Sequence, residues 1–118
     1  MSATLREVFD LINDTFAKGD TRTFLDYCTD DVVWTMVGDR TVQGKQAVAD
    51  WMASMQPSDL PTFTTEIVAV DGDVVAATGG MTMKEKDGST GRYSYCDVYR
   101  FRDGKVAELR SFVIKLAE

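Results

Sequence analysis

The sequence of 118 residues contains no histidine and only two cysteines, Cys28 and Cys96. Without histidine the chain can build neither a Ser-His-Asp nor a Cys-His nucleophile system, and it cannot form a histidine-ligated zinc, iron or haem site. The two cysteines are too far apart for the spacing of a metal-binding pair. We therefore predict that both are reduced, buried core residues and that the protein uses neither a metal nor another cofactor.

Long apolar segments and runs of basic residues are missing as well. No segment approaches the roughly 20 apolar residues that a membrane span needs, and the N-terminus lacks the basic and apolar segments of a signal peptide. Thirteen Lys and Arg against nineteen Asp and Glu give a net charge of −6, which argues against nucleic acid as a partner. We expect a cytoplasmic protein with no membrane or nucleic-acid partner, formed by a single domain over residues 1–118.

The first half of the sequence has the periodicity of helices. Thr4 and Glu7 have the spacing of a capping box, and apolar residues then recur at helical intervals until Gly19, which predicts a helix of about fourteen residues. A short second helix is predicted from Asp20 or Thr21 through Cys28. A third helix carries Ala47, Val48, Trp51, Met52 and Met55 and is closed by Pro57 and Pro61.

Strands are predicted between the helices and throughout the second half. The run from Val32 to Val37 and the pair Thr41-Val42 precede the third helix. Later strands are expected at about 62–70, 73–85, 91–102 and 105–116, separated by Asp-Gly turns. Gly79-Gly80 predicts a bulge or bend. The fold class is therefore α+β, with three N-terminal helices on one face of a strongly curved, mostly antiparallel sheet that encloses a cavity.

The segment from Gly91 to Lys105 carries the most informative residue. In a strand, Tyr93, Tyr95, Asp97, Tyr99 and Phe101 share one face, which is aromatic apart from the carboxyl group. An ionised carboxylate among apolar groups costs several kcal/mol unless it is paired, hydrogen-bonded or neutralised by a raised pKa. Asp97 is therefore the candidate catalytic residue.

Several short segments resemble the nuclear transport factor 2-like superfamily, which includes ketosteroid isomerases, limonene epoxide hydrolase and the SnoaL-like polyketide cyclases. The resemblance covers nearly the whole chain, and the segments that carry it are Ala17-Lys18-Gly19-Asp20, Tyr27 to Trp34, Gly44 to Val48, Asp97 to Phe101 and Asp103 to Val106. It implies a cone-shaped α+β fold with an internal cavity. It specifies the chemistry poorly, since this fold hosts many activities.

The resemblance carries one catalytic position onto this chain. Asp97 falls where ketosteroid isomerases place the protonated aspartic acid of their oxyanion hole. The isomerase base falls at or next to Met36, its oxyanion tyrosine near Ile12, and its supporting tyrosine near Met52, so three polar groups have become apolar. The epoxide hydrolases need an Asp-Arg-Asp arrangement, and Arg110 alternates away from the expected cavity. The SnoaL-like cyclases use a single pocket Asp, which Asp97 can supply.

Two interpretations of these residues remain open. Asp97 can be a ligand-handling group or a structural carboxylate bonded to Tyr27, Tyr95 or a tryptophan N–H. The apolar residues around it can line a pocket or fill a core. The expected pocket residues are Trp34, Met36, Trp51, Met52, Tyr95, Tyr99, Leu109, Ser111, Val113, Tyr27 and Ile12.

The sequence therefore supports three hypotheses of function. The first is a cofactor-free isomerase or cyclase in which Asp97 acts as acid and base on a hydrophobic carbonyl substrate. The second is a binding module for a small apolar ligand, and the third is a protein-interaction domain. Val98 and Phe112 among charged residues on the outer sheet face predict a homodimer through that face.

Overall fold

The three helices begin and end at the signals that the sequence provides. This computed structural model describes residues 4–54 and 62–117. Helix α1 spans Leu5–Lys18, opens with the Thr4–Glu7 capping box, and ends at Gly19 in the left-handed conformation with a φ of 68°. Helix α2 spans Thr21–Asp26, and the Asp20 side chain accepts a hydrogen bond from the Thr23 N–H. Helix α3 spans Lys45–Ala53; the predicted helix residue Met55 and the closing Pro57 and Pro61 lie outside the described residues.

Seven strands form one mixed sheet over these residues. They are β1 (Cys28–Met36), β2 (Arg40–Gln43), β3 (Thr62–Phe63), β4 (Ile67–Asp71), β5 (Val74–Lys84), β6 (Thr90–Arg102) and β7 (Lys105–Lys115). The order is β2-β1-β7-β6-β5-β3, and β4 also pairs with β5. Strands β1 and β7 are parallel, whereas the other pairs are antiparallel. The predicted α+β class and the antiparallel arrangement of the second half are confirmed.

The turns of this sheet follow the Asp-Gly signals. Between β6 and β7, Asp103 and Gly104 both have a positive φ, 54° and 78°. Two central residues of that kind are required by the tight hairpin turn whose twist matches that of the strands.

Predicted element boundaries were wrong in two places, at the start of β1, which was expected at Val32, and in the segment that precedes β5. Tyr27 and Cys28 do not belong to the second helix, because Tyr27 is its C-cap and Cys28 is the first residue of β1. The single strand predicted over 62–70 is divided into β3 and β4. Both errors have the same origin, since an apolar run shows that a segment is buried but not where the backbone changes its hydrogen-bond partners.

The glycines Gly79 and Gly80 mark a bulge, but the extra residue is in the neighbouring strand. Phe63 pairs with Met81 and Ile67 pairs with Thr78, so residues 64–66 lie opposite only the two glycines. A Cβ on Gly79 would lie 1.8 Å from the carbonyl oxygen of Thr64. Glycine is therefore needed here because the backbone of the adjacent segment approaches too closely for any side chain.

The helices cover one face of the sheet, called here the inner face, which carries Val75, Ala77, Tyr99, Val106 and Leu109. These side chains are buried together with residues of the three helices. The core consists of Val8, Phe9, Ile12, Phe24, Cys28, Val32, Val48, Val75, Ala77, Tyr99, Phe101, Val106 and Leu109. The opposite, outer face includes Cys96, Val98, Arg100, Arg110 and Phe112.

The inner face keeps its alternation across an irregularity in the pairing of β6 with β7. Phe101 pairs with Val106, but Arg100 pairs with Glu108, so Ala107 is an extra residue. Val106 and Leu109 both lie in the core as a result. The shift also places Ser111 on the inner face, opposite Asp97.

Candidate functional site

A cavity of about 250 Å³ lies between the helices and the inner face of the sheet. Its walls are predominantly aromatic and thioether side chains. The lining residues are Asn13, Thr15, Phe16, Gly19, Thr21, Trp34, Met36, Trp51, Met52, Phe63, Met81, Met83, Tyr95, Asp97, Leu109, Ser111 and Val113. Val113 is 44% exposed, so the cavity reaches the molecular surface. A concave, mainly apolar space with few polar groups is the usual form of a small-molecule site.

Asp97 is the carboxylate of this lining. It lies in the middle of β6, between Ala77 on β5 and Ser111 on β7. Burial among apolar side chains raises the pKa of Asp97 to about 6, and a hydrogen bond with Ser111 acts in the opposite direction. A carboxyl group in this range exchanges its proton near neutral pH, as acid–base chemistry requires.

The Ser111 hydroxyl connects Asp97 to a tryptophan. The Trp34 indole Nε1–H donates to Ser111 Oγ at 2.9 Å. Since an indole N–H is only a donor, Ser111 Oγ accepts this bond, and its own hydrogen is left to donate to the Asp97 carboxylate. The sequence hypothesis of a direct bond from Tyr27, Tyr95 or a tryptophan N–H therefore differs from the structure, in which serine stands between tryptophan and Asp97.

Three other polar side chains of the lining, those of Tyr95, Asn13 and Thr15, have partners within the protein. The Tyr95 hydroxyl donates to the Thr64 carbonyl oxygen at 2.8 Å and lies 3.2 Å from Thr65 Oγ1. Asn13 Nδ2 donates to the same Thr65 oxygen at 3.1 Å. The Thr15 hydroxyl donates to the Ile12 carbonyl oxygen at 2.6 Å. These bonds hold the cavity walls in place, and Asp97 is the one carboxylate acceptor among the described lining residues.

Most residues expected in the pocket line the cavity. They are Trp34, Met36, Trp51, Met52, Tyr95, Leu109, Ser111 and Val113, in addition to Asp97. Tyr99, Ile12 and Tyr27 are not in the lining, which corrects the expectation for these three. Tyr99 is 1% exposed, and its ring contacts Phe9 edge-on at 5.5 Å between centroids. Ile12 is fully buried in the same core, against which Tyr27 packs.

Eight lining residues were not predicted from the sequence. They are Asn13, Thr15, Phe16, Gly19, Thr21, Phe63, Met81 and Met83. A signal for the two methionines was present, because the two-residue alternation that buries Val75 and Ala77 continues through Gly79 to Met81 and Met83. Phe16 likewise belonged to the apolar stripe of α1. The small polar residues near the end of α1 carried no comparable signal.

The charged residues around the cavity differ from the Asp-Arg-Asp arrangement that epoxide hydrolases need. Among the lining residues that the structure describes, none is a lysine or an arginine, and Asp97 is the only carboxylate. Glu108 and Arg110 alternate away from Leu109 and Ser111; Glu108 pairs with Arg100 at 3.7 Å, and Arg110 lies over the Phe112 ring. An Asp-Arg-Asp site for water activation is therefore not formed by the described part of the chain.

The described part of the chain offers neither a cluster of metal ligands nor a membrane-spanning helix. Within residues 4–54 and 62–117, no group of three or more metal-ligating acidic or cysteine side chains is present, and no helix has the length and apolar character of a membrane span. Cys28 is buried, which raises its thiol pKa to about 12. Cys96 is free and half-buried on the outer face rather than in the core, so the expectation of two core cysteines holds only for Cys28.

The family model of the SnoaL-like domain matches residues 8–109. The chain belongs to this family. Among curated proteins no match was found. The assignment confirms the nuclear transport factor 2-like resemblance, and the family match extends from α1 into β7.

Solved structures show the same fold. An NTF2-like protein of unknown function from Cytophaga hutchinsonii is 24% identical, with a TM-score of 0.80 over 94% of this chain and 100% of that chain. An NTF2-like protein of unknown function from Burkholderia pseudomallei is 15% identical, with a TM-score of 0.84 over 93% and 90%. An LEH-like epoxide hydrolase from M. tuberculosis is 18% identical, with a TM-score of 0.80 over 91% and 80%. At these identities the likeness shows the fold alone.

Proposed function

We propose that this SnoaL-like protein binds a small hydrophobic carbonyl compound in the cavity and transfers a proton to or from it through Asp97, without a cofactor. The observation that carries the proposal is the position of Asp97, which is the lone carboxyl group among the described residues of an apolar cavity and has a pKa raised to about 6 by burial. Perturbed carboxyl groups in a cleft are frequent at functional sites because their proton affinity suits the working pH.

The chemistry follows from the two forms of Asp97. The ionised carboxylate removes a proton from the carbon next to the substrate carbonyl; the C–H electron pair becomes the new C=C bond and the carbonyl electron pair moves to oxygen. The neutral carboxylic acid then returns the proton to the same or another atom of the substrate. Trp34 and Ser111 hold the carboxyl group in one orientation during both transfers.

Deuterium exchange tests this function with a defined probe. The protein is mixed in D₂O with 2-tetralone, an apolar ketone with exchangeable protons beside its carbonyl, and the loss of these proton signals is followed by NMR. Proton transfer by Asp97 predicts catalysed exchange above the buffer rate, reduced by about 100-fold or more in Asp97→Asn. The exposed Asp10→Asn is the matched control and should exchange like the native protein. Equal exchange by Asp97→Asn would refute the catalytic role.

A non-catalytic binding function is the second candidate, and the hydrogen bonds around the cavity favour it. The indole of Trp34, the hydroxyl of Tyr95 and the amide of Asn13 all donate within the protein. The Trp34 and Tyr95 donors are therefore not free for the oxyanion that forms when a ketone loses a proton, and Asn13 has one of its two N–H groups engaged. In that case Asp97→Asn changes the affinity for 2-tetralone while both proteins lack exchange activity.

We also propose a homodimer through the outer face of the sheet. Phe112 is 38% and Ile114 is 67% exposed there, and the Arg100–Glu108 ion pair lies further along the same face. An apolar surface with paired charges suits a self-complementary interface. Sedimentation velocity at micromolar concentration should show a dimer for the native chain and a monomer for Phe112→Asp. Leu11→Asp, at an exposed position on α1, is the control and should remain a dimer; a native monomer would contradict the proposal.

A further inference from the structure

We propose that the same cavity binds lipophilic ammonium ions, with the ammonium group paired to the Asp97 carboxylate and the hydrocarbon against the aromatic and methionine walls. This inference rests on the proposed function only in requiring that a small molecule can enter the cavity. A carbonyl substrate would use the ionised and the neutral form of Asp97 in turn, whereas an ammonium ion would use only the ionised carboxylate.

The hydrogen-bond donors of the lining provide the first argument. A ligand with an anionic group would need donors in the cavity, but the Trp34 indole N–H, the Tyr95 hydroxyl and one of the two N–H groups of Asn13 are engaged with protein acceptors. Thr15 likewise donates to a backbone carbonyl. The carboxylate of Asp97 accepts from Ser111 and has further lone pairs available. The polar group of the ligand that fits this arrangement is therefore a donor, and the strongest donor for a carboxylate is a cation.

The surrounding charges provide the second argument. Among the described lining residues no lysine or arginine competes for Asp97. The guanidinium group of Arg40 stacks on Trp51 at 4.3 Å from the ring centroid, and this exposed side chain is itself paired with Asp39. A buried carboxylate without a cation in its own cavity gains more from an incoming ammonium ion than a carboxylate that is already paired.

The walls provide the third argument. The rings of Phe16, Trp34, Trp51, Phe63 and Tyr95 line the space around the carboxylate. Aromatic faces attract cations through their quadrupole, most strongly when the cation has lost its water. The same rings and the methionine side chains bury the hydrocarbon part of an amine. The cavity can therefore bind the ammonium group of an amine through Asp97 and the aromatic rings, and its hydrocarbon through the rings and the methionine side chains.

Among the described groups that face Asp97, its own ionisation is the one change between pH 5 and pH 8. Tyr95 and Tyr99, on the same strand, have pKa values above their usual 10.0 because they are buried, so both remain neutral. From β7 the facing group is the Ser111 hydroxyl, from β1 Trp34 and Met36, from β5 Ala77 and Met81, and from α1 and α3 neutral side chains. Ammonium binding should therefore follow the ionised fraction of Asp97.

Four compounds with one adamantane cage test the inference: 1-adamantanamine, 1-adamantanol, 2-adamantanone and 1-adamantanecarboxylate. The chain has two tryptophans, and since both line the cavity, their fluorescence reports occupancy. At pH 8 the amine should bind about 10-fold more tightly than the alcohol, and the carboxylate most weakly. Because about a tenth of Asp97 is ionised at pH 5 if its pKa is about 6, the amine affinity should fall about 10-fold there.

Variants separate this site from general attraction to an acidic protein. Asp97→Asn should lose the amine preference and its pH dependence while still binding the alcohol, whereas Asp10→Asn should retain both. The pH dependence in the native protein keeps the test valid if Asp97→Asn does not fold. Tighter binding of the ketone or the carboxylate at pH 8, or an amine affinity that is independent of pH, would overturn the ammonium site and leave the pocket itself standing. If none of the four compounds changes the fluorescence, the pocket proposal fails as well.

Discussion

The inner face of β6 has two ends that differ in what they pack against. At one end Tyr99 and Phe101 lie in the closed core, where the Tyr99 ring contacts Phe9 and stacks at 6.3 Å on Phe101. At the other end Tyr95 and Asp97 border the cavity. All four side chains follow the same two-residue alternation, so the strand pattern alone does not distinguish them. What differs is how the neighbouring side chains pack: large apolar residues fill the core end, whereas aromatic and methionine side chains surround an unfilled space at the cavity end.

This difference separates the residues that stabilise the fold from those available to a ligand. In the core, close packing leaves no space, and each buried ring contributes several kcal/mol. At the cavity end, side chains such as Met81 and Met83 have empty space on one side and contribute fewer contacts. The carboxyl group lies at this end of the strand. There Ser111 forms a hydrogen bond with it, and its raised pKa favours the neutral form.

The largest expected effect is the loss of a core ring. Phe9→Ala removes the edge-on partner of Tyr99 from a position that is 1% exposed, and such truncations cost about 3–5 kcal/mol. Met83→Ala removes a side chain that borders the cavity and should cost about 1 kcal/mol. The free energy of unfolding from urea titrations with unchanged m-values measures both.

The pair is informative because both changes shorten a large apolar side chain to alanine. Similar losses for the two variants would show that the cavity end is packed as tightly as the core, and the distinction between the two ends of β6 would then be abandoned. A small loss of stability for Phe9→Ala would also contradict the distinction, because it would show that the core end is not tightly packed.

The sequence predicted which face a residue occupies far better than whether that face is filled. Leu109 and Ser111 were expected on the face of Asp97 from the family resemblance. Counting from the Asp-Gly turn alone would have put Arg110 opposite Asp97, because the extra residue Ala107 shifts the pairing. Tyr99 was expected in the pocket and lies in the core, because its environment depends on where the helices cross the sheet. The position of the helices on the sheet is determined by tertiary packing, and a local sequence periodicity carries no information about it.

The bulge opposite Gly79 shows the same limit in the backbone. Two adjacent glycines within a strand indicated a local irregularity, but the sequence did not reveal that the extra residue is in the segment 64–66. The reason for glycine is the close approach of the Thr64 carbonyl oxygen. Contacts between segments this far apart in sequence can be read only after pairing is known. The connection of Trp34 through Ser111 to Asp97 was missed for the same reason.

A smaller effect is expected from the contribution of Asp97 to the free energy of unfolding. Burial raises its pKa from 3.8 to about 6 in the folded protein, so between these values the folded state binds more protons than the unfolded state. Under that condition the free energy of unfolding decreases as pH rises. The penalty is complete above about pH 6 and amounts to about 3 kcal/mol, since each pKa unit corresponds to about 1.4 kcal/mol.

Asp97→Asn should therefore be more stable than the native protein at pH 8 by about 2–3 kcal/mol, and the two should converge near pH 4. Taking the difference between them at each pH removes the contribution of the surface carboxylates Asp20, Asp31, Glu85 and Asp87, whose lowered pKa values act in the opposite direction. A difference that grows as pH falls would mean that Asp97 is paired in the folded state and belongs with the structural residues. A difference that grows as pH rises would mean that the fold retains a costly carboxylate at its cavity end, as a group kept for function rather than stability would require.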